Sequence, residues 1–362
     1  MTSLDQLPLR DDLRGKKPYG APMLDVPVTL NVNENTHPVP SAVRESIVAA
    51  VGDALESINR YPDREFTALR EALAGFVSTQ SSVSVHSDQV WAANGSNEVL
   101  QHVLQAFGGP GRSVLGFPPT YSMHPIIAEA TGTKWVTAER DADFAISPET
   151  AVAAIKHHTP NVVFFCAPNN PTGTGVSLET IEAAYDATDG IVLVDEAYIE
   201  FAPDAYPSAI SLLARRERLL ISRTMSKAFA FAGARVGYLI ADPAVIDALR
   251  LVRLPYHLSA LTQAAAVAAL GHSDIMLAMV DDIRAQRDRL LRELPARGYP
   301  VTQSVANFVL FSGVTNPQET FQGLLDHGVL VRDVGIANSL RVTAGTEAET
   351  TAFLEALDRL AQ

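Results

Sequence analysis

Between residues 90 and 240 the chain alternates short, unbroken apolar runs with amphipathic segments. The runs are Val114–Phe117, Val162–Cys166, Ile191–Val194, Leu219–Ile221 and Val236–Ile240. A continuous run, as opposed to alternation at every second residue, marks a strand buried on both faces. Strands of that kind separated by helical spacing predict an α/β architecture, a mostly parallel sheet with helices on each side. Upstream, Val43, Ile47, Val51 and Leu55 recur at helical spacing over 41–58, and Phe66, Leu69, Leu73 and Phe76 over 64–77. Downstream, 262–294 reads as one long amphipathic helical stretch. Short strands follow at Asn307–Phe311, Leu330–Arg332 and Leu340–Thr343, with a helix near 317–327, which together form a smaller α+β domain. Residues 1–40 are rich in Pro, Asn and charge with little periodicity, and Pro18–Pro22 reads as an extended arm. The expected division is an N-terminal arm with part of the small domain over 1–45, a large domain over 46–250 and a small C-terminal domain over 251–362. No internal repeat or low-complexity segment interrupts this plan.

Composition sharpens the picture. Hydrophobic residues make up 47% of the 362 residues and charged ones 19%, so a large folded core is expected. A net charge of −13 argues against nucleic acid as a partner, and it means that an anionic ligand must be held by local arginines. The single cysteine, Cys166, has no internal disulfide partner and sits in an apolar run, so inert core packing in a reducing, cytoplasmic compartment is expected. The opening Met-Thr-Ser-Leu-Asp-Gln-Leu lacks a basic head and an apolar core, which argues against export, and no apolar run reaches membrane-spanning length. No metal is expected.

The densest chemistry lies at 222–238, where Lys227 is flanked by Thr224, Ser226 and Arg235 between apolar runs. A lysine set against buried strands is paired or chemically used, and a desolvated amine suits a Schiff base with an aldehyde. Hydroxyls and an arginine beside it suit a phosphate. Aldehyde plus phosphate points to pyridoxal 5′-phosphate. The alternative for this segment alone is a strand–turn–helix with a surface Lys and Arg.

Four further motifs follow predicted strands. Gly95-Ser96-Asn97-Glu98 opens a helical face, and free N–H groups at a helix start bind phosphate, although many such starts are only caps. Phe117-Pro-Pro-Thr-Tyr121 ends a strand in a stiff turn that presents an aromatic ring able to stack on a flat cofactor, or simply to cap a helix. Ala167-Pro-Asn-Asn170-Pro-Thr-Gly173 places an amide before a proline, where it is held extended toward a ligand oxygen. Asp195 follows four buried apolar residues and needs a cationic partner; a protonated pyridine nitrogen is one, and Tyr198 can then donate to the ring's phenolic oxygen. Carboxyl ends of parallel strands share one edge, so these motifs converge on one crevice.

In this order the motifs resemble the fold-type I pyridoxal-phosphate aminotransferases, over nearly the whole chain. Within them the chain is most similar to the branch acting on histidinol phosphate. Leu30-Asn-Val-Asn-Glu-Asn35, Asn59-Arg-Tyr61-Pro62, Arg253-Leu-Pro-Tyr256-His-Leu-Ser259, Val331-Arg332-Asp333 and Leu340-Arg341-Val-Thr carry that likeness. Thr36 stands where the branch usually has proline after Asn-Glu-Asn. The resemblance implies a large, mostly parallel seven-stranded sheet domain and a smaller α+β domain. It implies that Lys227 bonds the cofactor aldehyde and then shuttles a proton, that Asp195 pairs with the pyridine nitrogen, and that Asn170 and Tyr198 hold the phenolic oxygen. Tyr121 stacks on the ring, and Ser96, Asn97, Thr224, Ser226 and Arg235 bind the phosphate. Tyr61 reaches the partner subunit's cofactor phosphate in a homodimer. Tyr19, Asn35, Tyr256, Arg332 and Arg341 serve substrate, with Arg341 on a carboxylate and Arg332 and Tyr19 toward the distal anion. The implied reaction is a ping-pong exchange of an amino group between L-histidinol phosphate and 2-oxoglutarate, with glutamate as the other amine, in histidine biosynthesis. The alternatives are an aromatic amino-acid aminotransferase, a decarboxylase on the same fold, and a non-catalytic cofactor-binding or regulatory module.

Overall fold

The structure is a computed structural model and describes residues 4–360. The first three residues of the N-terminal segment and the last two of the C-terminal domain lie outside the described residues. The strands are β1 (Val28–Thr29), β2 (Val90–Ala93), β3 (Ser113–Gly116), β4 (Lys134–Thr137), β5 (Val162–Cys166), β6 (Ile191–Asp195), β7 (Leu219–Thr224), β8 (Gly237–Ile240), β9 (Phe308–Phe311), β10 (Val329–Leu330) and β11 (Leu340–Thr343). Seven of them form one sheet in the order β2-β8-β7-β6-β5-β3-β4. Only β8 runs against its neighbours, so the sheet is mostly parallel, as the apolar runs predict. Every residue of β2, β5, β6, β7 and β8 is buried, which is why their sequences show no alternation.

The principal helices are α1 (Ser41–Leu55), α2 (Thr67–Ser81), α3 (Ser96–Phe107), α4 (Met123–Ala130), α5 (Pro148–His158), α6 (Leu178–Asp186), α7 (Pro243–Val252), α8 (Ala260–Leu270), α9 (Ser273–Ala296), α10 (Pro317–Asp326) and α11 (Glu347–Leu360). The single stretch expected over 262–294 is instead two helices, α8 and α9, meeting at 75°. Gly271 caps α8, and the chain turns at Gly271-His272. Apolar periodicity continues on either side of that break, so the pattern alone did not reveal it. Likewise α2 starts after Phe66, which takes a left-handed conformation at the cap (φ 41°). No single helix among the described residues is long and apolar enough to cross a membrane.

The N-terminal segment does not stay apart. β1 pairs in parallel with β10, β9 pairs antiparallel with β11, and Arg332 bridges to Arg341. Residues 28–35 are thereby laid along the C-terminal strands and against the carboxyl edge of the large sheet. Behind that edge, Arg223 of β7 and Glu196 just after β6 form a buried ion pair at 2.9 Å. Ser208 Oγ and the Ala209 N–H also donate to the carboxylate, at 2.8 and 2.7 Å. The pair staples the ends of the two strands that carry Asp195 and Thr224.

Candidate active site

Registry within the sheet brings the chemistry together. Cys166 lies opposite Asp195, Asp195 opposite Ser222, and Thr224 opposite Gly237. The strand ends open into a cavity of about 360 Å³. Of the residues proposed from sequence, Tyr19, Ser96, Asn97, Tyr121, Asn170, Asp195, Tyr198, Thr224, Ser226, Lys227, Arg235, Arg332 and Arg341 line it. Asn35, Tyr61 and Tyr256 do not. Asn35 is buried and donates to the Ala228 carbonyl beside Lys227 at 3.2 Å. Tyr61 and Tyr256 stack on each other outside the cavity, with ring centroids 4.4 Å apart.

At one end of the cavity is a cradle for an anion. Helix α3 begins at Ser96 after Gly95 (φ 84°), and the N-terminus of a helix directs N–H groups and partial positive charge outward. Arg235 lies against that turn so closely that a Cβ at Gly95 would sit 2.4 Å from its Nη2. A Cβ on Gly237 would meet Ser96 N at 2.1 Å, so only glycine lets β8 pass under the helix start. The hydroxyls of Thr224 and Ser226, 2.9 Å apart, complete the cradle.

At the other end sits Asp195, buried at 1% exposure. Its Oδ2 lies 3.1 Å from His124 Nε2. A carboxylate only accepts, so that ring nitrogen carries the hydrogen. Its Oδ1 is buried and has no partner among the described residues. A bare carboxylate oxygen at that depth calls for a cation or a donor from a ligand.

Lys227 lies between the two ends. Burial, reinforced by the guanidinium of Arg341, pulls its amine down to about 8. Its Nζ donates to the Val32 carbonyl at 2.9 Å. Burial raises both Tyr121 and Tyr198, so both remain protonated phenols. Tyr121 donates to Asn97 Oδ1 at 3.2 Å, which tethers the aromatic to the anion cradle. Cys166 is pushed up to about 12, chiefly by burial, which keeps its thiol protonated, and it lines the cavity wall. Arg341 donates to Asn170 Oδ1 at 2.5 Å and to the Asn31 carbonyl at 2.6 Å, while its buried Nε has no partner among the described residues.

Sequence reasoning missed His124 and most of Asn31-Val32-Asn33. His124 is 71 positions from Asp195, and nothing local to either residue signals the contact. Asn31 and Val32 meet Arg341 and Lys227 through backbone carbonyls, which side-chain identity does not report, and the Asn33 amide meets Tyr198 across 165 positions of sequence.

A sheet edge that gathers a depressed lysine, a bare carboxylate oxygen and an anion cradle defines a cofactor-dependent transferase site, and the chain belongs to the aminotransferase class I and II family, whose profile matches residues 26–357. More narrowly, it is 59% identical to the histidinol-phosphate aminotransferase of Paenarthrobacter aurescens, over 99% of this chain and 96% of that one. It is 56% identical to the enzyme of the same name from Thermobifida fusca, over 98% of this chain and 96% of that one. Among solved structures it is similar to a histidinol-phosphate aminotransferase from Sinorhizobium meliloti in complex with pyridoxal-5′-phosphate. The TM-score there is 0.80 and the identity 25%, covering 92% of this chain and 91% of that one. The fold-type I architecture anticipated from the motifs is the one these relatives share.

Proposed function

We propose that the protein is a pyridoxal-phosphate-dependent aminotransferase that exchanges an amino group between L-histidinol phosphate and 2-oxoglutarate. The observation that carries this reading is one cavity holding an amine lowered to about 8 and a buried carboxylate oxygen without a partner among the described residues. These are the two groups that an aldehyde on a pyridine ring needs at opposite ends, and the anion cradle supplies the third. The residues fit the cofactor. Asp195 Oδ1 would take the protonated pyridine nitrogen, Asn170 and Tyr198 the phenolic oxygen, and Tyr121 the ring face. Ser96, Asn97, Thr224, Ser226 and Arg235 would take the phosphate.

When bound, the cofactor supplies a carbonyl for the substrate amine and a ring that accepts electrons. The protein's own part is binding, orientation and proton transfer. An amine with a lowered pKa can both bond an aldehyde and carry a proton, so Lys227 would hold the cofactor and act as general acid–base at Nζ. Asp195, held by His124, would favour the protonated form of the ring nitrogen. Arg341 presents a buried fork to the carboxylate of glutamate. Histidinol phosphate lacks that carboxylate and relies on its phosphate, toward which we assign Arg332 and Tyr19. Asn35 and Tyr256 are assigned to the substrate side.

We further propose a homodimer in the cytoplasm, with Tyr61 serving the partner's site. We also propose the division into an arm with part of the small domain (1–45), a large domain (46–250) and a small domain (251–362). Support for the substrate comes from the names of the relatives, which do not favour an aromatic amino-acid aminotransferase. A single-turnover screen of amino donors, followed by the loss of the bound cofactor's aldehyde absorbance, tests this reading. Histidinol phosphate and glutamate are expected to discharge it, and a preference for phenylalanine would replace it.

A further inference from the structure

Tyr198 presents an unusual hydrogen-bond balance. Its phenolic oxygen accepts from Asn33 Nδ2 at 3.1 Å and from Asn170 Nδ2 at 3.2 Å. A phenol oxygen has two lone pairs and one hydrogen, so two donors leave only the hydrogen to give away. No acceptor for it is found among the described residues, and Tyr198 lines the cavity.

The orientation of both amides is fixed from behind. Arg341 has only donors, and it lies on Asn170 Oδ1, so the Asn170 nitrogen must face Tyr198. On the other side, the Thr343 hydroxyl takes the Asn33 backbone N–H at 3.1 Å and donates to Asn33 Oδ1 at 3.2 Å. Asn33 is 1% exposed, and Asn307 Nδ2 donates to its carbonyl at 3.1 Å. Its backbone is left-handed (φ 57°), a conformation asparagine tolerates better than most residues. Asn33 is thus built to present an amide N–H to Tyr198 and has no freedom to reverse it.

We infer that Asn33 is a positioning residue that forces Tyr198 to act only as a donor, aiming its hydrogen at the anionic oxygen of the ligand ring. This deepens the cofactor reading above and rests on it. Without the Asn33 amide, the phenol regains a free lone pair and can rotate its hydrogen away. A donor aimed at an anionic oxygen stabilises the deprotonated form, so it lowers the pH at which the bound chromophore titrates; losing it raises that pH.

The test is a spectrophotometric pH titration of the visible absorbance band of the holoenzyme. Asn33→Gly keeps the left-handed backbone and removes the amide. It is expected to raise the midpoint by about half a unit to one unit, as the weakening of one hydrogen bond to a charged group implies. Tyr198→Phe is expected to raise it at least as far. In the Tyr198→Phe background Asn33→Gly is expected to add nothing, because a residue acting through Tyr198 is not additive with it. Thr343→Val, which removes the hydroxyl that orients the amide, is expected to give a smaller rise and serves if Asn33→Gly does not fold. A wild type without a visible band overturns the cofactor reading and this inference with it. A wild-type band whose midpoint is unmoved by these changes, or moved equally in the Tyr198→Phe background, overturns this inference alone.

Discussion

Arg332 and Arg341 are direct partners across an antiparallel bridge, each donating its backbone N–H to the other's carbonyl, at 3.0 and 2.9 Å. Residues so paired carry their side chains on one face, so two positive charges stand side by side at the cavity wall. Burial pulls the guanidinium of Arg341 down to about 10, and Arg332 contributes to that fall. Like charges opposite each other destabilise a sheet, and an anionic ligand relieves the repulsion.

Opposite effects on the fold and on the reaction are therefore expected. Arg332→Ala should raise the melting temperature of the cofactor-free protein slightly, by a free energy of about 0.2–1 kcal/mol. The same change should cut kcat/KM for histidinol phosphate more than tenfold, since a charge-assisted contact is worth about 2 kcal/mol. Arg341→Ala should damage the glutamate half-reaction more than the histidinol phosphate one. Steady-state rates with both donors check this, and equal losses with both in Arg341→Ala would remove it from the carboxylate.

Lys227 gives a pH prediction for the cofactor-free protein. Its amine falls from an ordinary 10.5 to about 8 in the folded chain, mainly through burial. Between those values the unfolded chain holds a proton that the folded chain has released, so stability rises with pH through that window. Below pH 8 the burden of a buried charge is fully present. Lys227→Met should stabilise the cofactor-free protein at pH 7 by a free energy on the order of 2 kcal/mol. That gain should shrink as pH climbs from 8 toward 10.5. A pH-independent difference in denaturant midpoint would show that the amine is not the cause.

What the sequence disclosed, and what it hid, follows from where each signal is stored. Val162–Cys166 coincides with β5 because a wholly buried strand needs continuous apolar residues, while Leu340–Thr343 coincides with β11 although it alternates apolar and polar residues as Leu-Arg-Val-Thr. β4 escaped notice: none of its residues is fully buried, so the tract Lys134–Thr137 has no unbroken apolar run. Asp195 was legible because a polar residue directly after a buried run is costly without a use, and Lys227 and Asn170 because of the polar motifs that follow such runs at Thr224–Arg235 and Ala167–Gly173. His124 and Asn33 were not, since their roles arise only once distant segments meet. The relation between Arg332 and Arg341 was visible as two strand arginines, but their direct opposition depends on the turn between them.

Gly237 offers a steric test of the anion cradle. It is held between Ala93 on one side and Thr224 on the other, so β8 has no room to retreat. Gly237→Ala would drive a methyl group into the backbone of Ser96 and Gly95, at 2.1 and 2.3 Å. Overpacking of that kind costs about 1–3 kcal/mol. Displacing the start of α3 should also weaken cofactor binding more than tenfold, read by equilibrium dialysis of pyridoxal phosphate. Affinity for pyridoxal, which has no phosphate, should change less. If both ligands weaken alike, the distortion is not confined to the cradle.

Tyr61 and Tyr256 form the remaining test, because neither reaches the cavity of its own chain. Tyr61 is 80% exposed and its ring lies 15° from parallel with Tyr256. A large aromatic so exposed, held rigid by a stacked neighbour and followed by Pro62, is suited to a surface that another subunit covers. On the proposed reading, each site takes Lys227 from one chain and Tyr61 from the other. Tyr61→Ala and Lys227→Ala chains are each expected to be nearly inactive. Unfolded and refolded together in equal amounts, they should regain up to about a quarter of wild-type activity, since half the dimers are hybrids and each hybrid rebuilds one site of two. Refolding each chain alone is the control. Mixed samples no more active than the controls would mean that Tyr61 serves its own subunit.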